Sequence, residues 1–115
     1  GKLFLTVPQC HGIHQEPHNY FNYLSYGLEY LLKKNNFTSY HVIPLGGIYH
    51  LLGKVIQNSI NLIFQKINIK IRILLYPIEI VIKFVFFIIY VILFHADKVD
   101  GQRKWTINYG CIATK

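Results

Sequence analysis

Apolar and polar positions along this chain change pattern several times, and each regime predicts a different element. Residues 2–7 (KLFLTV) are a short apolar run rich in strand formers, stopped at Pro8 because proline cannot donate to a ladder. Residues 9–19 are polar, carry His11, His14 and His18, and contain Pro17, which predicts a loop. Leu24, Leu28, Leu31 and Leu32 then fall at i, i+4, i+7 and i+8, one stripe of a helix. Ser25 is the expected cap of its start, and Asn36 stands where a left-handed C-terminal cap is wanted. Residues 40–43 read as a second strand, ended by Pro44 and the turn-forming pair Gly46-Gly47.

From residue 49 to residue 94 the chain is strongly apolar. Ile56, Ile60, Ile63, Phe64 and Ile67 make one helical face, with Gln57, Asn58, Asn61, Gln65 and Asn68 on the other side. Between residues 67 and 73 the pattern becomes strict alternation (I-N-I-K-I-R-I), which favours a strand or an extended segment. Pro77 is expected to break the path before a second apolar stretch runs on to Phe94. Residues 97–104 are charged and contain Gly101, a loop, and residues 105–113 (WTINYGCIA) return to strand character. The order is strand, loop, helix, strand, helical insertion, charged turn, strand, with segments at 1–47, 48–96 and 97–115. An early strand–helix–strand unit favours an α/β sheet, because a parallel crossover needs a helix over its face. The long excursion lets the last strand return antiparallel.

Length and charge narrow the function classes. A chain of 115 residues holds one small domain, and 52% hydrophobic against 15% charged residues excludes a disordered chain. Cys10 and Cys111, at opposite ends, exclude a disulfide scaffold and a thiol-rich zinc site, and both read as reduced cytosolic thiols. There is no methionine, and Gly1 leads straight into the first strand, which suggests a piece of a longer protein. A net charge of +7 invites a nucleic-acid or anionic-membrane reading. However, Ile, Asn, Lys, Tyr and Phe are all over-used and all have AT-rich codons, so compositional drift accounts for the lysines. The basic pairs are short (Lys33-Lys34, Arg103-Lys104), with no arginine-rich run or aromatic RNA-binding signature, and no nucleic-acid partner is expected.

The histidines of the loop are spaced H-x-x-H-x-x-x-H with Cys10 adjacent, but Gly12 and Pro17 interrupt any helical geometry and no metal is expected. The uninterrupted apolar run at 84–94 (FVFFIIYVILF) is about half of the roughly 20 residues a spanning helix needs. Extending it back to Ile73 takes in Pro77, Glu79 and Lys83, the last two an i, i+4 pair. The count favours an amphipathic hairpin lying over the sheet or on a membrane surface. Lys66, Lys70 and Arg72 would face anionic headgroups, with contact through residues 54–94.

One stretch carries a family resemblance. V-P-x-x-x-x-I-H-x-E-P, then Tyr20-Phe21, then Y-G-L-x-Y-L-L-x-K, then Phe37 and P-L-G-G resembles the class I S-adenosylmethionine-dependent methyltransferases, and more narrowly the C-terminal half of a type-11-like domain. Val7-Pro8, Ile13-His14, Glu16-Pro17, Tyr20, Phe21, Gly27-Leu28, Leu31-Leu32 and Phe37 stand at the matching positions, and residues 105–115 resemble the final strand. The similarity is dense over residues 2–47 and thin from 48 to 97. Four places depart from the pattern: Asn19 stands for an Asp, Asn22 for an Arg, Leu24 for a helix-capping Thr and the pair Asn35-Asn36 for a Gly before Phe37. Two asparagines form weaker neutral bonds than a charge-assisted Asp–Arg pair.

The resemblance implies an α/β fold: the last three strands of a seven-stranded Rossmann-like sheet, the final one antiparallel beside the first strand here, with a hydrophobic helical insertion. Cys111 would then pair near the start of that first strand, out of disulfide reach of Cys10. It implies methyl transfer to an unidentified acceptor; the apolar insertion would suit a small-molecule or lipid-linked one in the cytoplasm, at or near a membrane. His14 would be the catalytic base and Glu16, Asn19 and Tyr20 would contact substrate. S-adenosylmethionine would be the cofactor of the full-length protein and would not bind this chain alone, because the glycine-rich turn and acidic ribose ligand belong to earlier strands. The rivals are a non-enzymatic, membrane-associated small protein and an inactive remnant.

Overall fold

The computed structural model describes residues 1–13, 16–18 and 21–115. Strands β1 (Lys2–Pro8), β2 (Ser39–Leu45) and β3 (Asn108–Thr114) form a mixed α/β arrangement with helices α1 (Ser25–Lys34), α2 (Ile48–Gln65) and α3 (Ile69–Ala96). A short 3₁₀ turn occupies Asp97–Val99. Two compact units result: Gly1–Gly47 with Gln102–Lys115, and Ile48–Gly101.

In the first unit the sheet order is β1-β3-β2, and β3 runs antiparallel to both neighbours. β1 and β2 therefore run the same way, with the last strand of the chain between them. Period-two alternation fixes the register. Leu5 and Val42 flank Cys111, and Val7 and Pro44 flank Tyr109. These positions turn to α1, where Leu28 and Leu32 join Tyr109, Cys111 and Ala113 in the core. Pro44 lies within β2 instead of ending it, a place open to proline because β2 is an edge strand. Cys111 sits opposite Leu5, at the middle of β1 and not near its start. The Cys10 N–H bonds the Ile107 carbonyl, four residues from Cys111, or about 13 Å at strand rise. Both thiols are free, and burial pushes that of Cys111 up.

α1 begins without the expected side-chain cap. Leu24 occupies the cap position and Ser25 is already helical, so the hydroxyl lies one residue too late. The C-terminus follows the sequence. Asn36 adopts φ 62°, its N–H bonds the Lys33 carbonyl, and the Phe37 N–H bonds that of Leu32. This is a Schellman closure with asparagine where glycine is usual. Asn36→Gly is expected to raise stability by about 0.5 kcal/mol, because glycine enters the left-handed region without steric cost. Urea denaturation of both proteins reads the shift.

The second unit is a helical hairpin, α2 against α3. Residues 69–73 are helical, which corrects the extended reading of their alternation. Asn68 caps α3 by accepting from the Lys70 N–H at 3.0 Å, and seven alternating residues are too few to outweigh a capped helix. Pro77 does not break the path either; it lies inside α3. Arg72 spans the proline turn, its Nε and Nη2 each 2.9 Å from a carboxylate oxygen of Glu79. Lys83 Nζ adds a second cation at 2.7 Å. At the open end Tyr90 crosses Gly53 so closely that a Cβ there would lie 2.8 Å from its ring. His50 Nε2 is 3.1 Å from the Tyr90 hydroxyl, and burial with nearby Lys54 pulls its pKa down against the opposing effect of Asp97. The segment Ile69–Val99 is long and apolar enough to cross a membrane, and only 6% of its most apolar window is buried.

Candidate functional site

At the carboxyl ends of β1 and β2 lies a cleft of about 500 Å³. In α/β sheets such ends gather ligands because the connecting loops splay apart there. Leu24, Val42, Pro44 and Tyr109 make its apolar walls, and Gln9, Ser25, Arg103 and Lys104 supply polar groups. The register explains the meeting. Pro8 pairs with Asn108, so the residue after β1 and the residues before β3 emerge side by side. The Gln9 N–H bonds the Ile107 carbonyl at 2.9 Å, and its side-chain amide reaches the Lys104 carbonyl at 3.4 Å. Gln9 Oε1 is buried and accepts no hydrogen bond from any described residue. Arg103 turns into the last strand through φ 44°. Two cations, an amide oxygen awaiting a donor and a serine hydroxyl suit an anionic or hydroxyl-bearing ligand.

Of the residues expected at the site, His14, Asn19 and Tyr20 lie outside the described residues. Glu16 is described and exposed. Both ends of the connection that carries these four line the cleft: Gln9 at its start and Leu24 at its finish. The Tyr23 N–H bonds the Pro8 carbonyl at 2.8 Å, closing the connection at its base. Asn22 donates to the His11 carbonyl at 3.4 Å, a contact within the loop. Sequence reading missed Gln9, Ser25, Arg103 and Lys104 as a group. The adjacent basic pair just before the last strand was the available signal, and it read as a charged turn.

The one glycine pair between a strand and a helix, Gly46-Gly47, leads into α2, whose first turn is already filled by the chain's own carboxylates. The Ile48 N–H donates to Asp100 Oδ2 at 2.9 Å and the His50 N–H to Asp97 Oδ1 at 3.0 Å. An anionic ligand has no place at that end. Among the described residues no three His, Cys, Asp or Glu side chains are grouped to hold a metal ion. No family model, curated protein or solved structure matches the chain.

Proposed function

We propose that this chain is the C-terminal part of a class I S-adenosylmethionine-dependent methyltransferase, supplying the acceptor side of the site. The observation that carries the reading is the sheet: a final strand running antiparallel beside β1, as the resemblance implied, with α1 connecting β1 to β2. The second face of that sheet also favours it. Phe4, Ile43, Leu45 and Ile112 are exposed there, and sheets of α/β proteins have both faces covered. The earlier strands and helices of a Rossmann-like domain would cover it.

On this reading a cofactor held by other elements of the full-length protein would supply an activated methyl group. The cleft holds the acceptor: Arg103 and Lys104 neutralise an anionic group, while Gln9 Oε1 accepts from an acceptor hydroxyl or amine. His14 is the proposed base and Glu16, Asn19 and Tyr20 the proposed substrate contacts. The protein is placed in the cytoplasm, with its helical hairpin at a membrane surface and a small or lipid-linked acceptor. Calorimetric titration of this chain with S-adenosylmethionine is expected to show no binding, and micromolar affinity would overturn that division of labour. The longer reading frame is expected to transfer labelled methyl groups to an extract of anionic metabolites or lipids. Arg103→Ala with Lys104→Ala should then raise KM by about tenfold or more, since each charge-assisted contact is worth about 1.5–3 kcal/mol.

A further inference from the structure

The hairpin of α2 and α3 holds a second cleft, of about 290 Å³, lined by Gln57, Asn58, Asn61 and Lys83 with Ile60 and the two phenylalanines 86 and 87. We infer that this cleft binds the phosphate of an anionic phospholipid while the hairpin lies in the membrane interface. The inference rests on the membrane placement proposed above and adds to it a site and a headgroup class.

The hairpin is two-sided. On α3, Leu74, Pro77, Val81, Phe84, Ile88 and Ile92 recur every three or four residues on one face, all exposed, with Leu74 80% and Val81 62% open. On α2, Val55, Leu62 and Ile63 are likewise exposed. The α3 stripe fits acyl chains. Lys54, Gln57, Asn58, Asn61 and Gln65 form a polar stripe of α2 beside the cleft. If α3 crossed the bilayer, Lys83, at the middle of its 28 residues, would sit near the midplane. Lying in the interface instead points the amide stripe and Lys83 at the headgroups.

Charge then selects the occupant. Arg72 and Lys83 share one carboxylate, Glu79, so the cluster keeps a net positive charge beside an apolar surface. The whole unit has six cations against three carboxylates. A phosphodiester monoanion balances the cluster, with one oxygen toward the Lys83 ammonium and the other toward the Asn58 and Asn61 amides. A zwitterionic headgroup carries its own counter-charge and gains less.

Co-sedimentation of the full chain with phosphatidylcholine vesicles, alone or mixed with phosphatidylglycerol, tests this. The chain is expected to bind both and to prefer phosphatidylglycerol. Asn58→Leu with Asn61→Leu changes no charge and adds apolar surface. It should bind phosphatidylcholine at least as well yet lose the preference about fivefold. Lys83→Gln should lose it too, with helicity by circular dichroism reporting that the hairpin is intact. An Asn58→Leu, Asn61→Leu protein with undiminished preference would overturn the site and leave only diffuse charge attraction. Failure of the parent chain to bind either vesicle, or self-association in their place, would overturn the membrane placement itself.

Discussion

Leu32→Ala is expected to unfold the sheet unit while leaving the helical hairpin folded. Leu32 is 4% exposed and, with Leu28, forms the contribution of α1 to a core cluster of five buried residues among those described. Truncating such a leucine removes its transfer free energy and leaves a cavity, a cost of about 2–5 kcal/mol. Natural domains hold about 5–15 kcal/mol in total, and this one has a single helix over one face of three strands. Hydrogen exchange reads the two units separately. The amides of β3 should exchange at least about 30-fold faster, the equivalent of 2 kcal/mol, while those of α2 and α3 keep their rates. Tyr30→Ala on the exposed side of α1 should stay within about 0.5 kcal/mol of the parent. Unchanged protection of β3 in Leu32→Ala would show that the core does not depend on α1.

Local pattern made much of this fold legible. The run of strand formers located β1, the leucine stripe located α1, and Asn36 marked its end because few side chains accept a left-handed backbone. What failed was settled by partners distant in the chain. Residues 67–73 alternate like a strand, yet the Asn68 cap and the reach of Arg72 to Glu79, two turns onward, make 69–73 helical. Glu79 and Lys83 were visible as a pair. Arg72, seven residues earlier, was not, although it bridges the turn that Pro77 interrupts. The cleft was hidden for a related reason. Gln9 and Lys104 lie at opposite ends of the chain and meet only because β3 enters between β1 and β2 in one register. No spacing rule connects them.

Glu79→Gln is expected to damage the hairpin more than any other single polar replacement in it. The side chain is almost fully buried, 3% exposed, and holds two cations at once: Arg72 through two bonds of 2.9 Å and Lys83 at 2.7 Å. Glutamine keeps the shape but presents one acceptor and an amide that repels both partners, leaving two cations against apolar walls. The loss falls where α3 is weakest, since Pro77 already lacks an N–H for its turn. The same contacts set a pH dependence. Hydrogen bonds from Arg72 and then Lys83 outweigh burial and hold the Glu79 carboxyl at about 2, below its ordinary 4.5. A carboxyl depressed on folding binds its proton more readily in the unfolded chain. Its contribution is therefore full above about pH 4.5 and lost as pH falls from there to about 2. In vesicle-bound protein, parent helicity should fall through that window, and Glu79→Gln should start lower and show a smaller acid step. The two proteins differ only at residue 79, so the difference between their acid transitions reports that carboxyl alone. Equal acid transitions in the two would show that Glu79 does not hold the hairpin together.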